Sequence, residues 1–122
     1  MRQRRNNIFS EERGAELLYG ILTLISSEEG LRSHQVDARM RREFPPIGIE
    51  LDPSSDRKDQ YEHGLQRLTS DVSTAKSGLG AEGWIDKRTR IWRITDLGRE
   101  AIARVTDPVQ LFRLRDRLRD KS

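Results

Sequence analysis

The side chains able to do chemistry in this sequence are hydroxyls and cations placed as hydrogen-bond donors, with no nucleophile and base among them. Arg67, Ser70, Ser73, Thr74 and Ser77 follow one another at helical spacing, flanked by His63 and Gln66. A helix through them would carry a narrow crest of small polar side chains with a few longer donors. Close behind come Lys87, Arg88 and Arg90. Such a crest beside a cluster of cations suits an extended polyanion, because short side chains let the backbone approach and cations displace condensed counterions. The plain alternative is a solvated polar face.

Enzyme chemistry fails on inventory. Cysteine is absent and the two histidines, His34 and His63, fall on different predicted helices without metal-ligand spacing. That excludes disulfides, thiolate ligands and a thiol nucleophile. No Gly-rich phosphate loop is present. The sequence therefore predicts no catalytic residue, no metal and no cofactor. At 122 residues with a net charge of +3, 34% hydrophobic and 35% charged, the chain holds one modest core and is mildly basic. No apolar run is long enough to cross a membrane and the N-terminus lacks a signal-type stretch, which implies a soluble cytoplasmic protein.

Five helices and a hairpin must position these groups. Ser10 with Glu11 and Glu12 starts a helix that carries Ala15, Leu17, Leu18, Ile21, Leu22, Leu24 and Ile25 on one stripe. Leu31 reads as a short buried link. Ser33 is expected to cap a second helix bearing Val36, Met40 and Phe44, stopped by Pro45. Residues 45–58, rich in Pro, Gly and Ser, read as an inserted loop with room for an extended piece at Ile47 to Leu51. From Asp59, the positions Tyr61, Leu65, Leu68, Val72, Ala75 and Leu79 keep one helical period, predicting a continuous third helix over about 61–82 closed by Gly83 as a glycine cap. Trp84 to Lys87 and Ile91 to Thr95 form a hairpin with a basic tip. Trp84 and Trp92 lie in its strands and are expected in the core rather than stacked on bases. Thr95 caps a fourth helix, and Asp107 with Pro108 starts a fifth.

Three helices followed by a two-stranded wing make a mostly α fold with a small β-hairpin, the winged helix-turn-helix, here with an extra C-terminal helix. The boundaries are a basic arm over 1–9, the winged domain over 10–106 and an amphipathic helix over 107–122. In such a fold the third helix enters a major groove and the wing lies on the backbone or minor groove. The expected DNA-binding residues are Arg67, Ser70, Ser73, Thr74 and Ser77 on the helix, Lys87, Arg88 and Arg90 on the wing, and Arg4 and Arg5 on the arm.

The string Val72-Ser73-Thr74-Ala75 with Leu79 and Gly83 resembles the recognition helix of MarR-like winged-helix regulators. A longer match, Tyr61-Glu62-His63, Gly83-Trp84-Ile85, Ile91-Trp92-Arg93-Ile94-Thr95 and Gly98-Arg99, resembles the N-terminal domain of Mrr-type restriction proteins. That resemblance implies a winged helix that binds double-stranded DNA beside a separate nuclease, hence a target-recognition module of a restriction or defence system. Asp56-Arg57-Lys58 has the Asp-x-Lys spacing of half a restriction nuclease site, but it lies in a polar loop without a partner. A stand-alone transcriptional regulator, homodimeric through the C-terminal and first helices, is the alternative. A winged helix that binds protein and no nucleic acid is the third reading.

Overall fold

The computed structural model describes residues 9–54, 57–74 and 83–121, with side chains as far as Arg115. Serine at position 10 caps α1 (Glu11–Ser26), its Oγ accepting from the Arg13 amide at 3.1 Å. Ala15, Leu17, Leu18, Ile21, Leu22 and Ile25 of this helix are fully buried at the centre of the core. Around them lie β1 (Leu31–Arg32), α2 (Ser33–Glu43), a 3-10 turn (Gly48–Leu51), α3 (Gln60–Asp71), β2 (Ile85–Asp86), β3 (Ile91–Ile94), α4 (Asp96–Arg104) and α5 (Pro108–Lys121). The chain is mostly helical with a small three-stranded antiparallel sheet in the order β1-β3-β2. No described helix is long and apolar enough to cross a membrane.

Several expectations change. The hairpin gains a third strand, because Leu31 pairs with Trp92 and Arg32 with Ile91. This puts Leu31 and Trp92 on the core face, with Arg32, opposite Ile91, on the same outer face as Arg93. The first residue of α2 is Ser33, not its cap; the cap is Arg32, whose amide donates to Gln35 Oε1 at 2.8 Å. Of the Ile47 to Leu51 piece only Ile47 is extended, and Gly48–Leu51 form a 3-10 turn. Phe9, assigned to the arm, is buried, with its ring edge-on to Tyr61.

The largest correction is to the third helix, which stops at Asp71 instead of running to about 82. The apolar period continues through Val72, but the local chemistry opposes it. The Ser73 hydroxyl donates to the Ser70 carbonyl, one of those that would carry the helix on, while the Thr69 hydroxyl bonds the Leu65 and Gln66 carbonyls within the helix. Sheet-like contacts then take over. The Thr74 amide donates to Ile85 O at 2.7 Å, the Trp84 amide to Val72 O at 2.6 Å, and Ser73 bridges Ile85. Gly83 is not a left-handed cap, since among the described glycines only Gly30 and Gly48 have a positive φ. It serves close approach: a Cβ there would sit 2.5 Å from the carbonyl carbon of Ser73 and closer still to Val72 O.

The C-terminal helix folds back on α1. Leu111 and Phe112 are buried, the Phe112 ring lies where a side chain on Gly14 would be, and Arg113 pairs with Glu11 at 3.4 Å. The apolar side of α5 as far as Phe112 is thus packed against α1.

Candidate nucleic-acid interface

The third helix is set in place at its N-terminus. Asp59 caps it, its Oδ1 accepting from the Glu62 amide at 2.9 Å, and holds a two-bond fork with Arg41 at 2.8 and 3.0 Å. Arg41 also donates to Asp37 at 2.9 Å and lies 5.0 Å from the Tyr61 ring centroid. Its guanidinium bond holds the Asp59 carboxyl below the usual range. Tyr61 donates to the Phe44 carbonyl at 2.6 Å, and burial pushes its phenol up to about 12. One arginine thus ties α2 to the cap of α3, which fixes the angle between the two helices.

The long connection is fastened from the other side. Glu50, 5% exposed, receives Arg13 through two bonds of 2.9 Å and the Ile47 amide at 3.0 Å. Arg13 also reaches the Pro45 carbonyl at 2.9 Å. Beyond the 3-10 turn the chain doubles back: Pro53 bridges Asp59, and the Ser54 amide donates to Lys58 O at 2.8 Å. Ser54 Oγ and His63 Nδ1 share a hydrogen bond at 2.6 Å, so this turn sits against the first turns of α3.

What remains open on α3 is a short crest. Arg67 and Ser70 are exposed, and Gln66 is half-buried beside them. Ser73 lies past the helix, bonded to Ser70, while Thr74 is 8% exposed and behind the sheet contact, so neither reaches a groove from a helix crest. Ser77, Arg4 and Arg5 lie outside the described residues.

The hairpin's cations are engaged unequally. Lys87 turns back over Trp92, with Nζ 4.2 Å from the ring centroid, and donates to Thr69 Oγ1 at 3.0 Å, joining the hairpin to the end of α3. Arg88 forks onto Asp86 at 2.8 and 3.1 Å, and these bonds lower the Asp86 carboxyl to about 2. Arg90 is exposed, with no ion pair or hydrogen bond among the described residues. Arg32 and Arg93 add exposed cations on the outer sheet face. The pairing of Arg32 onto β3 was invisible in sequence, because a two-residue strand shows no alternation. Trp84 and Trp92 are both buried, as expected.

Among the described residues no cluster of three or more His, Asp or Glu side chains could hold a metal. The arrangement offers donors and fixed cations on one helix and one hairpin, which is binding chemistry. No protein-family model, curated protein or solved structure matches the chain.

Proposed function

We propose that this chain is a winged helix-turn-helix module that binds double-stranded DNA, with α3 facing the major groove and the β2–β3 hairpin on the backbone. The observation that carries the reading is the joint placement of an open Arg67 and Ser70 crest and an exposed Arg90, on elements joined through the Lys87 bond to Thr69. The helix order, the sheet order β1-β3-β2 and the α2–α3 tie through Arg41 support it. The resemblance to Mrr-type N-terminal domains extends the proposal to a module that directs a nuclease, as a separate domain or subunit, to its target. A stand-alone regulator would use the same surface.

The test is binding to a random duplex between 50 and 200 mM salt, about the range over which phosphate contacts dominate affinity. Affinity falls as salt rises. Arg90→Ala lowers the salt slope by about one phosphate contact across sequences, whereas Arg67→Ala changes sequence preference. Binding that is absent, or indifferent to salt, refutes the proposal.

A second reading has its own observation. Ile47, Ile49 and Leu51 are 60%, 60% and 57% exposed while Glu50 between them is buried. Polar-in and apolar-out is the reverse of ordinary burial, and clustered exposed aliphatics favour contact with protein. Replacing all three with serine leaves DNA binding unchanged if α3 and the hairpin carry it.

A further inference from the structure

We propose that the turn carrying Arg57 is a second backbone clamp, gripping the DNA phosphates on the groove edge opposite the β2–β3 hairpin. The inference rests on the DNA-binding reading and adds a contact that sequence spacing does not suggest.

Among the described residues Arg57 is the one non-glycine with a positive φ, at 72°. That region disfavours a side chain with a Cβ and is ordinarily filled by Gly, Asn or Asp. The turn around it is well tied: Pro53 bridges Asp59, Ser54 N bonds Lys58 O, Gln60 Nε2 donates to the Pro53 carbonyl at 3.2 Å, and His63 shares its bond with Ser54. None of these bonds uses the Arg57 side chain, which is exposed and has no ion pair or hydrogen bond among the described residues. The fold therefore gains nothing evident from an arginine in a conformation that glycine would adopt more easily. A long cation held outward at such a position is what a phosphate contact requires.

The placement fits a duplex. The turn sits on His63 near the start of α3, and the hairpin meets Thr69 near its end. His63, Arg67 and Ser70 share a helix face, and the rise from the first to the last is about 10 Å at 1.5 Å per residue. A major groove is about 12 Å wide with phosphates along both rims. With the turn of Arg57 against His63 at one end and the hairpin of Arg90 against Thr69 at the other, a crest of that length would span one groove and bring one exposed cation to each rim. The turn also takes over the N-terminal part of the crest, so base-edge contacts begin at Arg67.

The experiment measures duplex affinity against salt for the full chain and its variants. Arg57→Ala and Arg90→Ala each make the slope of log K against log salt shallower by about 0.9, the pair together by about twice that, and Arg57→Lys restores the slope. Arg104→Ala, which removes a cation paired with Glu100 on α4, leaves it unchanged. Arg57→Gly raises the thermal midpoint while reducing the slope as Arg57→Ala does. An unchanged slope in Arg57→Ala beside a reduced one in Arg90→Ala overturns the clamp and leaves the DNA reading standing. Equal losses in Arg57→Ala and Arg104→Ala reduce the effect to diffuse charge and overturn it too. A lower midpoint for Arg57→Gly shows that the arginine serves the fold. Absence of salt-dependent binding by the unaltered chain overturns both readings.

Discussion

Replacing Arg13 and Glu50 with alanine, singly and together, tests how the inserted connection is held. The Glu50 side chain is 6% exposed and that of Arg13 15%. Losing Arg13 strands a buried carboxylate whose remaining described partner is the Ile47 amide. That is close to the case of a buried pair broken by loss of one member, about 3–4 kcal/mol. Losing Glu50 is milder, because the guanidinium keeps the Pro45 carbonyl and Glu16 at 3.2 Å and can turn toward water, so about 2 kcal/mol is expected. The double variant should cost little more than Arg13→Ala alone, giving a coupling of about 2 kcal/mol. Urea unfolding followed by far-ultraviolet circular dichroism reads all the free energies. Hydrogen exchange adds a spatial readout: Ile47 to Asp52 amides should lose protection while α3 keeps its own, since Arg41 and Asp59 hold that helix independently. Free energies additive to within about 0.5 kcal/mol, or α3 opening together with the loop, would refute this account.

Other consequences are quicker to check. Arg88→Ala should raise the Asp86 titration midpoint, read by carboxyl NMR, from about 2 toward the ordinary 3.8. The rise stops short because the amide of residue 88 still donates to the carboxylate at 3.0 Å. The depressed folded value means that the pair's contribution to stability is complete above the unfolded value near 3.8 and fades as pH falls toward 2. With Arg88 61% exposed, that contribution is below about 1 kcal/mol. Gly83→Ala forces a methyl group onto the Val72 and Ser73 backbones and should cost about 3 kcal/mol in urea unfolding, whereas a simple loop glycine would tolerate the change.

Helix starts were the most legible part of this chain because their chemistry is local. Ser10, Asp59 and Thr95 each accept from an amide three residues on, and Pro108 opens α5. The core of α1 could be read from spacing alone, since a stripe of about three turns from Ala15 to Ile25 leaves little ambiguity. The end of α3 could not. Val72 and Leu79 keep the helical period, and what accompanies the end of the helix is the Ser73 hydroxyl on the Ser70 carbonyl together with backbone bonds from Thr74 and Trp84 to distant partners, which no local pattern announces. That cost the candidate site Ser73 and Thr74. Strand β1 is too short to show a pattern, so Arg32 went unnoticed, and the φ of Arg57 has no signature in sequence. The engagement of Lys87 by Trp92 and of Arg88 by Asp86 depends on side-chain direction, which charge counting ignores.

The backbone bonds around Val72 and Trp84 have a consequence for how a strain would travel. Val72 accepts from both Trp84 and Ile85, and Thr74 donates to Ile85, so the residues that follow α3 and those that open the hairpin are one short backbone junction. A pull on the hairpin is therefore passed straight to the last turn of α3, and a helix seated in a groove and a wing seated on its rim would settle as one body instead of in two separate steps.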